Sequence, residues 1–391
     1  MLNIKEIQQY LKSNHLDGWL LADFHGRNSI AVGMLGLKAL VTRRSFYFIP
    51  ADGEPVVLAN PIEKHLFLHL PGQLKLYFGY KMLESELQKT LQGHKTIAME
   101  YSPLGRLPYI GLVDAGTIEL VRKCGVEIVS SADLVSNFQA RLNDQQVELH
   151  RQSAANVLKI KDQAFGFIRD SINQNQSITE FDVVKFVLNK FDEMEMETDH
   201  GPICAVDGNA GNPHYEPTEK NSARIAKGQL VLLDLWGKLK LPLAVYGDIT
   251  WAAYTGSSNE IPAKLRELFS IVAKSRDTAV EYLNAHYGKR DVFGAEIDDA
   301  VRDVITKAGY GKYFVHRTGH SIGTEVHGVG PNIDNLETED KRSLLVGHLF
   351  SVEPGIYMDD CGFRSEINVL ITKDGPVVTT LPLQSELTAL F

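Results

Sequence analysis

Cysteine is scarce in this chain: three among 391 residues, Cys124, Cys204 and Cys361, odd in number and far apart. A disulfide framework is a poor reading of that spacing, and a reducing compartment suits it better. Long apolar runs are missing too. No stretch approaches the roughly 18 residues that cross a bilayer. The opening MLNIKEIQQYLKSNHLDGWLL carries charges throughout, unlike a signal peptide. The expectation is a cytoplasmic protein with no membrane partner. Runs of basic residues are also absent, and a net charge of -9 argues against nucleic acid as a partner. With 44% hydrophobic and 23% charged residues and no low-complexity segment, the composition is that of a globular enzyme.

What the chain does have is length enough for two cores. Residues 4–13 place Ile4, Ile7 and Leu11 at helical spacing, and GWLLA follows as a buried strand. Up to about residue 135, short apolar strands (FYFIP, PVVLA, TIAME, VEIVS) alternate with helical segments such as SELQKTLQ, which predicts an α/β domain. A long amphipathic helix from about Asp144 to Asp170 then offers Val147, Val157, Leu158, Ile160, Ala164, Phe165 and Ile168 to one face. The expected boundary lies at its start, giving domains 1–140 and 141–391. Within the second, SITEFDVVKFVLNKF opens with a capping-box pattern, Ser177 to Glu180. GAEIDDAVRDVITKAGY echoes it with Glu296 in the place of Glu180. The echo suggests a two-fold α/β arrangement with a site between its halves.

The polar residues of this second part are unusual. HRTGHSIGTEVHG, residues 316–328, sets three histidines among glycine, serine and threonine. A satisfied polar core, a metal site and an acid/base site all fit it. In VLLDLWGKLKLPLAVYGDITWAAY, residues 231–254, apolar strands flank a Lys-Leu-Pro connection. This predicts a β-hairpin with Asp234 leaving one strand and Asp248 entering the other. Aspartate is a poor strand former and facing carboxylates repel, so the pair either meets a cation or sits at strand ends in water. FSVEPGIYMDDCGFRSEINVLIT, residues 350–372, repeats the theme: Glu353 closes a strand at a Pro-Gly turn, and Glu366 shares an alternating strand with Arg364 and Asn368. Arg364 with either glutamate also reads as an ordinary salt bridge. Together, two Asp, one His and two Glu are hard or borderline ligands without a thiolate, a set suited to Mn²⁺, Co²⁺, Zn²⁺ or Fe²⁺. Four carboxylates carry about four negative charges, which two divalent ions roughly 3.5–4 Å apart would balance.

Asp234, Asp248-Ile-Thr, His316-Arg-Thr-Gly-His320 through Val-His327, Glu353-Pro-Gly-Ile-Tyr and Arg364-Ser-Glu366 stand in an order that resembles the pita-bread metallopeptidase family. That family includes methionine aminopeptidases, aminopeptidase P, prolidase and the metal-free creatinase. The likeness is close over residues 145–391, while residues 1–140 resemble the creatinase-type N-terminal domain of prolidase and aminopeptidase P. The implied fold is α/β (α+β), with that N-terminal domain preceding a pita-bread catalytic domain. The resemblance implies two divalent metals, manganese before cobalt, zinc or iron. Asp234 would chelate one, Asp248 and Glu366 would bridge the pair, and His320 and Glu353 would bind the other. Glu353 would also be general base and then proton donor. His214, in GNPHYEPT, would contact substrate near the scissile bond, and His327 would steady the scissile carbonyl. Arg364 would lie near the metal carboxylates, within reach of a substrate carboxylate. His316 would serve structure or substrate.

The implied activity is prolidase-like hydrolysis of Xaa-Pro bonds in proline-containing peptides, by a homodimer. Aminopeptidase P action on longer peptides is the alternative. A metal-free hydrolase or a binding module would predict eroded ligands, and all five are present. Three residues depart from the family pattern in segments expected around the pocket: Trp251 stands for Arg after Asp-Ile-Thr, and Ser321 and Gly328 stand for Gly and Glu. The hairpin is longer than usual and Tyr246 is shifted by one position. His65 and His69 have i, i+4 spacing but no third ligand nearby, so a surface helix is expected there.

Overall fold

Every residue of GWLLAD is buried, because the strand it forms, Gly18–Asp23, lies inside a six-stranded sheet. The computed structural model describes residues 2–391 and divides into two units, Met1–Gln139 and Ala140–Phe391. The sheet of the first unit runs in the order Gln73–Leu76, Val56–Ala59, Ser45–Pro50, Gly18–Asp23, Thr96–Met99, Glu127–Ser130. Its middle pairs are antiparallel and its outer pairs parallel. Parallel neighbours need a crossover, and helix Ala115–Lys123 supplies one between Thr96–Met99 and Glu127–Ser130. That helix and Tyr80–Leu91 bury Leu83, Leu87, Ile118 and Val121 against Leu20, Ile97 and Met99. The expected α/β alternation is there, with one strand unanticipated. QLKL at Gln73–Leu76 is a half-exposed edge strand, whose mixed polarity hides it from an apolar-run criterion. Pro61–Phe67 is a 3₁₀ stretch rather than an α-helix, and His69 Nε2 meets Leu35 O at 2.8 Å.

The second unit begins with helix Asp144–Asn173, closed at its start by an Asn143–Gln146 capping box. It buries Val157, Ile160, Ala164, Phe165 and Ile168, whereas Val147 and Leu158 are only half-buried. Against it lies the hairpin of Leu230–Leu239 and Gly247–Tyr254, in which Asp234 faces Thr250 and Trp236 faces Asp248. Asp234 is therefore inside its strand, not leaving it, and the two aspartates are diagonal neighbours rather than an opposed pair. Side chains alternate along a strand, so Asp234, Trp236, Asp248 and Thr250 share one face. Trp251 takes the other face, away from the carboxylates, where Lys161 Nζ sits 3.6 Å from the ring centre.

Leu349–Val352 pairs with Ile367–Thr372, and Gly355–Tyr357 pairs with Gly362–Arg364. Glu353 follows the first of these strands, as expected. Glu366 is not inside an alternating strand; it lies in the break between Arg364 and Ile367. Helices Ala263–His286 and Gly294–Lys307 close this half over a core that includes Phe269, Val301, Phe350 and Phe363.

The expected capping box at Ser177–Glu180 is displaced by two residues: Thr179 and Asp182 form it. Glu180 is thereby left for another task. Fully buried, it accepts from Val206 N and Ala223 N at 2.7 Å each and from Tyr215 OH at 2.6 Å. In the other half Asp298, not Glu296, does the same: it accepts from Thr318 N at 3.0 Å and Asn335 N at 2.8 Å. Each half thus pins a polar loop with one carboxylate near the start of a helix.

Candidate metal centre

Asp248, His320 and Glu366 are all buried, and one ligand atom from each lies within 4.8 Å of the others. Backbone pairing fixes the first: Asp248 N donates to Asn368 Oδ1 at 3.0 Å, and Asn368 Nδ2 donates to Asp248 O at 2.7 Å. His320 N donates to Ser351 Oγ at 2.9 Å. Its ring Nδ1 faces Ser321 O at 3.1 Å. A proton on Nδ1 satisfies that carbonyl and leaves the Nε2 lone pair for a metal. Nε2 stands 3.5 Å from Asp248 Oδ2 and 3.4 Å from Glu353 Oε1.

Asp234 and Glu353 flank this trio. Thr250 Oγ1 lies 2.9 Å from Asp234 Oδ1 and 2.8 Å from Glu366 Oε2, joining the two carboxylates through one hydroxyl. Arg364 Nη2 is hydrogen-bonded to Asp234, Nε donates to Thr250 Oγ1 at 3.0 Å, and Nη1 donates to Tyr357 OH at 2.9 Å. His316 Nε2 is 2.7 Å from the same Tyr357 hydroxyl. Ser351 Oγ donates to Glu353 Oε1 at 3.0 Å.

Charge is unbalanced here. Burial pushes the carboxyls of Asp248 and Glu366 well above the ordinary range, and neighbouring carboxylates push further. Burial also raises Asp234, with Arg364 opposing it. Burial alone would raise Glu353, but His320 and His316 in their protonated forms, with the permanent charges of Arg364 and Arg317, outweigh it and hold its pKa below the usual value. Burial lowers His316 and His327 to about 4 and lowers His320 as well, so neutral imidazoles face the cluster at neutral pH. One guanidinium set among four carboxylates, three of which resist ionising, is a donor set that fits divalent cations.

Of the remaining expected site residues, His327 packs its ring edge-on against His320 at 4.4 Å between centroids and keeps one side in solvent. His214 lies exposed on the loop after Asp207–Gly211, its backbone N–H donating to Asn212 Oδ1 at 3.0 Å. Four residues to which the sequence assigned no role hold the cluster: Thr250, Ser351, Tyr357 and Asn368. Strand period was the available signal for two of them. Thr250 follows Asp248 by two, and Asn368 follows Glu366 by two.

The unusual Ser321 and Gly328 prove to be coupled. Ser321 O accepts from Gly328 N at 2.6 Å, and Ser321 Oγ accepts from Gly330 N at 3.1 Å. A Cβ at position 328 would stand 2.9 Å from that hydroxyl, so a larger residue at 328 would make the Ser321 side chain shift.

The model for metallopeptidase family M24 matches residues 148–373, more than half of the chain. The chain is similar to an Xaa-Pro dipeptidase of Pyrococcus horikoshii, with 27% identity over 374 residues and 95% of each chain covered. Its fold is that of the dipeptidase PepE from Mycobacterium ulcerans, at a TM-score of 0.76 and 22% identity, covering 99% of this chain and 96% of that one. An X-prolyl aminopeptidase from Caenorhabditis elegans, described as a cytosolic enzyme with a di-nuclear active site, shares the fold at a TM-score of 0.69 and 17% identity. The match covers 98% of this chain and 62% of that one.

Proposed function

The chain belongs to metallopeptidase family M24, and we propose that it hydrolyses the peptide bond between an N-terminal residue and a following proline, as an Xaa-Pro dipeptidase. The observation that carries the reading is the convergence of Asp248, His320 and Glu366 within 4.8 Å, with Glu353 beside them. The likeness to the P. horikoshii dipeptidase over 95% of both chains supports the substrate class. Asp234, Asp248, His320, Glu353 and Glu366 would hold two divalent ions, for which manganese is our assignment. The chemistry such ions supply when bound is polarisation of the scissile carbonyl and acidification of water.

The protein's own groups do the rest. Glu353, the carboxylate whose surroundings keep it ionised, takes the proton of the attacking water and returns it to the proline nitrogen as the bond breaks. Neutral His327, open to solvent on one side, donates toward the carbonyl oxygen as it gains charge. His214 contacts the substrate near the scissile bond, from a loop that Glu180 steadies through Asn209 and Tyr215. Arg364 spends three of its five N–H donors on Asp234, Thr250 and Tyr357, and Tyr357 OH links it to His316, whose ring nitrogens are taken by that hydroxyl and by Arg317 O. We assign the proline carboxylate to the remaining Arg364 donors, with His316 positioning Tyr357 beside them. We also assign the protein to the cytoplasm, from its few scattered cysteines, and to a homodimer, from the family resemblance alone.

The test compares kcat/KM for an Xaa-Pro dipeptide with the same peptide amidated or extended at its C-terminus. Losing a charge-assisted contact should cost about 1.5–3 kcal/mol, roughly ten- to a hundredfold. Equal or faster cleavage of the extended peptide rejects the dipeptidase and favours aminopeptidase P, the activity named for the C. elegans neighbour.

A further inference from the structure

The hairpin face that presents Asp234, Asp248 and Thr250 also presents Trp236, directly opposite Asp248. The roles above give this indole no task. It packs against two apolar clusters, one that includes Val326, next to His327, and one that includes Tyr215, next to His214. Trp236 is thus shared by clusters that reach both loops whose histidines are assigned to substrate. At the outer edge of the ring, Nε1 donates to Asp199 Oδ1 at 2.8 Å. Asp199 lies on the link between Met196–Glu197 and Ile203–Val206, with 36% of its side chain exposed. His200 N also donates to Oδ1, at 3.0 Å, so the carboxylate is fixed in place. Oδ2 faces the exposed ring of His200 at 3.3 Å.

We propose that Trp236 and Asp199 form the subsite for the substrate's N-terminal residue, and that this subsite favours a basic residue, lysine or arginine. The inference rests on the Xaa-Pro reading and narrows it to a substrate class. The Trp236 indole has Asp248 opposite it in the hairpin and Asp199 at its Nε1. A side chain with a long apolar stem and a terminal cation matches an indole that ends in a carboxylate. The stem lies along the ring, where a cation gains from the aromatic face, and the charge ends at the carboxylate. The surroundings are anionic as well. Asp199, Glu325 and Glu197 all act on Tyr246, and the Asp199 charge reaches Asp248 and, beside the stronger influence of Arg317, His327. Lys238, whose Nζ lies 5.0 Å from the Tyr246 ring centre, is already paired with Glu197 at 3.6 Å and donates to Thr324 O at 2.6 Å.

The experiment measures kcat/KM for lysyl-proline and norleucyl-proline, equal in stem length and different in charge. Metal-loaded wild type, Asp199→Asn and Asp199→Glu are compared. Wild type should prefer lysyl-proline by up to about fivefold, the scale of a partly screened ion pair. Asp199→Asn should bring the ratio close to one, and Asp199→Glu should keep it above one. A wild-type ratio at or below one, or a preference that survives Asp199→Asn, overturns the subsite alone. Cleavage of neither peptide by metal-loaded wild type sinks the peptidase reading and the subsite with it.

Discussion

Glu100 in the first unit and Asp248 in the second are both carboxylates withdrawn from water, yet their surroundings differ in kind. Glu100 Oε1 accepts from Trp19 Nε1 at 2.7 Å and Ser131 Oγ at 3.0 Å, and Oε2 accepts from Asn28 Nδ2 at 2.8 Å. Burial pushes its carboxyl up and these neutral donors pull it back. The group thereby ties three segments of the first unit together. Asp248 uses its backbone N–H and C=O on Asn368, while its carboxylate faces His320 and feels Asp234 and Glu353. Burial alone does not separate a structural acid from a functional one; the donors that meet each oxygen do. Where neutral groups fill the hydrogen-bonding capacity the acid is a staple, and where acids crowd one another a cation is called for.

Substitutions should split along that line. The largest effect belongs to Asp248→Asn, which removes a charge the cations require. Peptidase activity should fall below detection and bound metal should drop with it, read by elemental analysis and turnover on the same sample. Glu353→Gln comes next, with a loss of roughly 10²–10⁴ in kcat, the usual contribution of a positioned base. His327→Ala should keep its metal and lose about 10²–10³ in kcat, as for one transition-state donor. A His327→Ala enzyme turning over at near the wild-type rate would remove that residue from catalysis. Glu100→Gln acts on the other side of the comparison. It places an amide among donors and should cost about 1–3 kcal/mol of stability in denaturant unfolding, with kcat on Xaa-Pro peptides kept. Loss of metal in Glu100→Gln would show that the two kinds of buried acid are not separate after all.

The same contrast explains what was legible in the sequence. Apolar strands and helix faces follow from spacing, so FYFIP, TIAME and the Val157-to-Ile168 stripe read correctly. The four acids and the histidine of the cluster were legible because charged residues beside apolar strands need a reason. Register was not. Asp234 opposite Thr250, and Glu366 in a break between strands, depend on hairpin geometry that composition does not encode. Asp298 was passed over in favour of Glu296 because a capping pattern marks where a helix starts, not which acid the fold buries. Trp251 looked like a pocket residue by motif, but strand alternation turns it toward Lys161. Neutral helpers such as Thr250 and Asn368 carry no compositional alarm, and only their place two residues from a ligand points to them.

Metal stoichiometry followed through a chelator titration tests the account most directly. The chain is reconstituted with Mn²⁺, and metal per chain and Xaa-Pro turnover are measured at each step. The account predicts two ions per chain at the start, with activity falling as they leave and returning when they are restored. Full turnover with metal at trace level would contradict it.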